Sequence, residues 1–173
     1  VQTCALPISA AAIATGMCLG ALGSQTGGSI TRPAAYCGIA GLKPTYGRAS
    51  AAGVMPLAYS MDHPGPMCLS VKDLAIMLQC IAGYDPADST TIDKPVPNYL
   101  AALAVPCPPP RIGLLRGHFQ ELAAPEVQAF FNSAVNELKA KGAQISEVSL
   151  PASFSGIVKN HRVDRKSTRL NSS

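Results

Sequence analysis

Tryptophan is absent from the 173 residues, and only five Tyr and four Phe are present. Charged residues make up just 14%. No apolar run approaches the roughly 20 residues that a bilayer-crossing helix needs, so no membrane partner is expected. No basic stripe with interleaved aromatics occurs, and half of the modest net charge of +4 lies in the last ten residues, so no nucleic-acid partner is expected either. The six cysteines, Cys4, Cys18, Cys37, Cys68, Cys80 and Cys107, form no Cys-x-x-Cys pair, which argues against a zinc site. Val1–Ile8 has no charged leader segment, and the expectation is reduced, buried thiols in a cytoplasmic protein.

What is present is apolar and rich in turns. Hydrophobic residues account for 47%, enough to bury a core, and 15 Gly and 15 Pro imply many loops. Both ends differ from the middle. Val1–Ile8 and Asp164–Ser173 read as non-native terminal sequence, which leaves 9–163 as the segment of a domain.

Within it, Ser9 is placed to cap a helix through Ala14, and Cys18–Gly23 reads as a buried strand. Ser24–Ser29 reads as a polar loop, Pro33–Cys37 as a short helix and Gly38–Leu42 as a strand. Residues 44–68 read as loop, with Met55, Met61 and Met67 filling gaps in the core. Ser70-Val71-Lys72-Asp73 resembles a capping box. Val71, Leu74, Ala75, Leu78, Ile81 and Ala82 then follow a helical period up to Gly83. A short helix fits 98–104. Strand 111–115, a helix from Pro125 to Gly142 and strand 144–150 form a βαβ unit with parallel pairing. The expected buried face of that helix is Val127, Phe130, Phe131, Ala134, Val135 and Leu138. The fold class is α/β.

The densest chemical signal is Gly23-Ser24-Gln25-Thr26-Gly27-Gly28-Ser29-Ile30-Thr31-Arg32-Pro33. Two glycines before a serine permit a tight turn whose backbone N–H groups converge with no side chain in the way. Ser29 Oγ would then stand beside donors suited to an oxyanion, and Arg32 could offer a planar fork to a carboxylate. That arrangement suits acyl transfer through a serine. The same residues are also compatible with an ordinary loop, or with an anion cradle that lacks the P-loop lysine. Other residues allow sharp and bland readings. His63 or Lys43 could act as a base, or as structure; Asp62 fits a loop brace that accepts backbone N–H bonds. Asp85 and Asp88 suggest either a cation loop or a solvated one, Cys37 fits packing, and His118 and His161 fit the surface.

The stretch from Gly23 to Arg48, with Gly53–Ala58 and Ser60–Met67, resembles the core signature of the amidase signature family, and the similarity extends more weakly over about 9–163. The resemblance implies a layered α/β/α fold with a mixed central sheet and hydrolysis of non-peptide carbon–nitrogen bonds through a Ser–cis-Ser–Lys triad. It implies Ser29 as nucleophile and the amides of Thr26, Gly27, Gly28 and Ser29 as the oxyanion hole. No cofactor and no metal are expected. Arg32 becomes a substrate-binding candidate, since the family often has Asp at Gln25 and Arg one position earlier, where Thr31 stands. The bridging serine would fall at Ala5 and the lysine before Val1. The expectation is therefore a fragment of a longer member, inactive as it stands. The parent would act on a small-molecule amide, alone, as a homodimer, or as the amide-hydrolysing subunit of a glutamine-dependent amidotransferase. A non-catalytic anion-binding module is the further alternative.

Overall fold

Short apolar runs broken by glycine and proline assemble into small sheets with helices packed on them. The computed structural model describes residues 6–115, 117, 120, 122–157 and 160. They form two compact units, one from the described residues up to Val105 and one from Pro106 onward. The class is α/β, as expected. His118, His161, Ala5, Cys4 and the segment 164–173 lie outside the described residues.

In the first unit, α1 (Leu6–Ala14) runs through the position where Ser9 was expected to cap, so Ser9 is an interior helical residue. Its Ala10 and Ile13, three residues apart and fully buried, face the core. Gly16, at φ +75°, ends the helix. Strand β1 (Gly20–Gln25) then extends two residues into the expected loop. Helix α2 (Thr31–Cys37) stops at Gly38, whose φ of +66° makes it a left-handed cap and not the start of a strand; only Ala40–Gly41 remain as β2.

Strand β3 (His63–Cys68) falls where loop was expected. It pairs antiparallel with β1 from Gly20↔Cys68 to Gln25↔His63, and with β2 at Ala40↔Cys68 and Gly41↔Met67. Two prolines in a central strand are tolerated for a geometric reason. The Pro66 carbonyl accepts the Leu42 amide at 3.0 Å, so Pro66 and Pro64 turn their donor-less nitrogens toward the β2 side. There only two residues pair, and the β1 ladder loses nothing.

Helix α3 (Val71–Ile81) is capped by Ser70, whose Oγ accepts from the Asp73 amide at 3.1 Å and donates to Asp73 Oδ2 at 2.6 Å. Leu74, Ala75 and Leu78 are buried as expected, whereas Val71, in the first turn, is exposed. Helix α4 (Tyr99–Leu103) is capped by Asn98 and joined to α3 through Gln79 Oε1, which accepts the Tyr99 amide at 2.9 Å.

The loop before β3 is held by side chains rather than by a ladder. Arg48 donates to the Tyr99 hydroxyl at 2.7 Å and to the Pro95 carbonyl at 3.1 Å. Asp85 accepts from Ser50 Oγ at 2.6 Å and from the Ala87 amide at 2.9 Å. Asp88 accepts from the Ala51 amide at 2.7 Å and from Thr90. These bonds hold both carboxyls below the ordinary aspartate range. Asp85 and Asp88 thus bracket 48–51 against 85–91 from within a largely exposed loop. Of the three methionines assigned to the core, Met67 is buried, but Met55 is 89% exposed because no element covers its turn.

The second unit has the expected order. Strand β4 (Arg111–Leu115) pairs in parallel with β5 (Gln144–Val148), in register from Arg111↔Gln144 to Leu115↔Val148, and α5 (Pro125–Ala140) is the crossover. A short 3-10 turn, Ala152–Gly156, follows. The expected buried face of α5 is corrected. Val135 is buried and Ala134 half-buried, but Val127, Phe130, Phe131 and Leu138 are exposed. Two described strands are too narrow to cover a 16-residue helix.

Candidate active site

Ile30 anchors the site. Its side chain is fully buried in a cluster with Ala10, Ile13 and Met67. Each strand of the three-stranded sheet turns a glycine toward it. A Cβ at Gly23 of β1 would lie 3.4 Å from Ile30 Cγ1, one at Gly41 of β2 would lie 3.2 Å from Ile30 Cγ2, and one at Gly65 of β3 would lie 3.1 Å from Ile30 Cδ1. Absent side chains let the isoleucine settle onto the sheet, and burial of such a side chain is worth roughly 1.5–3 kcal/mol. Ser29 is its chain neighbour and is half-buried.

Gln25 fixes the main chain. Its Oε1 accepts the amides of Ile30 and Thr31, each at 2.9 Å, and the Thr31 hydroxyl at 3.2 Å. Ile30 is the N-cap of α2 but cannot cap with an aliphatic side chain. The buried glutamine five residues upstream takes over that role and satisfies the amides that a helix start leaves open. The Arg32 amide completes the turn by donating to the Gly28 carbonyl at 2.9 Å. Gly28 has φ +127°, a conformation suited to glycine, and the nearest atom to a Cβ there is Arg32 Cβ at 3.9 Å.

The donors divide sharply at Ser29. The amides of Ile30, Thr31 and Arg32 are all engaged. Those of Thr26, Gly27, Gly28 and Ser29 donate to no partner among the described residues, and Ser29 Oγ has none there either. Four consecutive open N–H groups beside a half-buried hydroxyl can receive an anion or a developing oxyanion. The Arg32 side chain is exposed at the start of α2. It forms no ion pair among the described residues, and its Cβ lies on the open side of Gly28.

A second clamp lies just before β3. Thr26 Oγ1 donates to Asp62 Oδ1, one residue beyond the Gln25↔His63 pair that ends the ladder. Asp62 Oδ2 accepts the Leu57 and Ala58 amides at 2.7 and 2.9 Å, so the brace expected of Asp62 is present and also reaches the loop of Ser29. Asp62 lines a cavity of about 300 Å³ with Tyr46, Gly53, Val54, Tyr59 and Thr90.

His63 is occupied elsewhere. Its Nδ1 lies 2.5 Å from the Met61 carbonyl oxygen, which can only accept, so Nδ1 carries the proton. Nε2 is left as the acceptor for Lys43 Nζ at 3.4 Å. Neither residue is partnered with Ser29. Among the described residues no group of three or more His, Cys, Asp or Glu side chains could hold a metal ion. Gln25 and the three glycines under Ile30 carry no local signal of these roles. Their partners lie five or more residues away, beyond the reach of local capping rules.

The family model described as Amidase matches residues 9–159. A glutamyl-tRNA(Gln) amidotransferase subunit of Synechococcus sp. (strain RCC307) is 49% identical over 149 residues, covering 86% of this chain and 31% of that protein. The crystal structure of the corresponding subunit from Thermotoga maritima superposes with a TM-score of 0.86 at 31% identity, over 95% of this chain and 36% of that one. The native peptide amidase from Stenotrophomonas maltophilia superposes with a TM-score of 0.77 at 36% identity, over 89% of this chain and 32% of that one. The chain spans about a third of the length of the relatives it matches. With the family model covering most of its residues, the chain belongs to the amidase family, whose signature its glycine-rich loop carries.

Proposed function

We propose that the protein containing this chain hydrolyses carboxamides through Ser29, with 9–163 as its family segment. The observation that carries the reading is the row of open amides from Thr26 to Ser29 beside the half-buried Ser29 hydroxyl. Ser29 Oγ attacks the amide carbonyl carbon and forms a C–O bond. The carbonyl π pair moves onto oxygen, where the four N–H groups receive the charge. Collapse breaks the C–N bond, the nitrogen leaves protonated, and an acyl-Ser29 ester remains for water to hydrolyse. Arg32 binds a polar or carboxylate group of the substrate.

The proton of Ser29 needs an acceptor. Lys43 and His63 are paired with each other, and the family resemblance puts the bridging serine and lysine at Ala5 and before Val1. A serine without its base is a weak nucleophile, so the chain by itself is inactive. No metal or cofactor is required, and the site of action is the cytoplasm. The test is amide hydrolysis by the protein extended upstream of this segment. Turnover that disappears in Ser29→Ala supports the assignment; turnover that persists removes it.

A second reading has its own support. Curated relatives at 46–50% identity are amidotransferase subunits. On that reading the same acyl-Ser29 chemistry releases ammonia from glutamine for a partner protein. Glutaminase activity that rises when the partner and acceptor are added favours it; equal hydrolysis of simple amides without any partner favours the stand-alone enzyme or a homodimer.

A further inference from the structure

We infer that Gln25 is a positioning residue for acyl transfer at Ser29, acting through the main chain of Ile30. The inference rests on the reading of Ser29 as nucleophile. Thr26, Gly27, Gly28 and Ser29 lie between two points that one side chain joins, since Gln25 is the last residue of β1 and its Oε1 holds the Ile30 and Thr31 amides at 2.9 Å. A four-residue stretch containing two glycines has wide conformational freedom. Three constraints remove it. Gln25 fixes the separation of the loop's ends, the Ile30 side chain is seated on Gly23, Gly41 and Gly65, and Thr26 is tied to Asp62.

Gln25 acts on direction. The same oxygen that draws the Ile30 and Thr31 amides toward β1 leaves the four preceding amides outside the bonded network. Without it, the Ile30 and Thr31 donors become available to the Gly27 or Gly28 carbonyls or to water, and the turn relaxes. Ile30 stays buried by its side chain, so the loss falls on the aim of Ser29 Oγ and of the oxyanion donors rather than on the core. Gln25 is buried, and its oxygen is occupied by three protein donors, so that oxygen acts on Ser29 through the main chain.

The test uses the full-length protein that contains this chain and measures kcat and KM for amide hydrolysis in Gln25→Met, Gln25→Asn and Gln25→Glu. Met matches the volume and lacks the acceptor, Asn keeps the amide but is one methylene short, and Glu keeps an acceptor oxygen in reach. Gln25→Met and Gln25→Asn are expected to lower kcat by about 10- to 100-fold, with KM within about twofold, because misaligned groups weaken the transition state more than binding. Gln25→Glu is expected to recover kcat to within about fivefold while Gln25→Met, of similar volume, does not, a split that a role in packing alone would not produce. If Gln25→Met does not fold, Gln25→Asn carries the comparison. Wild-type kcat in both Gln25→Met and Gln25→Asn, or an equal loss in Gln25→Glu, overturns the inference while leaving Ser29 in place. Full turnover in a Ser29→Ala control instead overturns the nucleophile reading on which the inference stands.

Discussion

The Thr26 hydroxyl donates to Asp62 Oδ1, and Asp62 Oδ2 takes the Leu57 and Ala58 amides at 2.7 and 2.9 Å. One buried carboxylate therefore joins the loop of Ser29 to the turn that leads into β3. Asp62→Ala would strand two amides, one of them on the fully buried Ala58. We expect it to lower the unfolding free energy by about 3 kcal/mol. Asp62→Asn should cost about 1 kcal/mol, since the Thr26 hydroxyl can reverse and accept from the new amide. Urea unfolding of both variants checks the order; equal losses would mean that the second oxygen matters little.

Two glycines separate a conformational requirement from a steric one. At Gly28 a Cβ has room, with the nearest atom at 3.9 Å, but φ is +127°. Gly28→Ala should fold, lose about 1–3 kcal/mol through backbone strain, and acylate slowly. At Gly65 a Cβ would lie 2.2 Å from the Leu42 carbonyl oxygen and 2.8 Å from Pro44 Cδ. No rotamer relieves a backbone clash, so Gly65→Ala should abolish soluble expression. Circular dichroism and yield measured side by side distinguish the two; a well-folded Gly65→Ala would contradict the packing described under Ile30.

Acid should loosen the bracket between 48–51 and 85–91. Hydrogen bonds from Ser50 and the Ala87 amide hold the Asp85 carboxyl low, and the Ala51 amide and Thr90 do the same for Asp88. A carboxylate whose folded pKa is depressed contributes stability that is present above its unfolded value, near 3.9, and is lost as the pH falls through the folded value. Stability measured from neutral pH downward should therefore decline below about pH 4, and less steeply in Asp88→Asn. An unchanged slope in that variant would show that the bracket is not a linked site.

Helix α5 presents Phe130 at 76% and Val127 at 56% exposure. Exposed aromatic and branched side chains on one helix favour association. The chain expressed alone should self-associate in sedimentation experiments, and Phe130→Lys should shift it toward monomer with its helix content unchanged. A monodisperse wild-type monomer that melts cooperatively would contradict this.

Much of the architecture is legible in the sequence because it rests on local rules. The period of α3, its Ser70 cap and the short helix near 98–104 follow from neighbours within four residues, and the βαβ order of the second unit follows from the succession of its elements. What escapes depends on distant partners. His63-Pro64-Gly65-Pro66 has little strand propensity, and only the pairing to Leu22 and Gln25 makes it a strand. The α2 boundary falls two residues earlier than expected because its capping acceptor comes from β1. The apolar stripe of α5 is legible as a stripe, yet periodicity cannot say what covers it. At the site, the signature draws attention to Ser29, Thr26, Gly27, Gly28 and Arg32, but the residues that hold them are set by tertiary contact.

The most direct measurement is to treat the full-length protein with a fluorophosphonate and map the adduct by peptide mass spectrometry. The account predicts a single phosphonyl group on Ser29, slowed in Gln25→Met and absent in Ser29→Ala. Modification of another residue with Ser29 untouched, in an enzyme inactivated by the reagent, would contradict it.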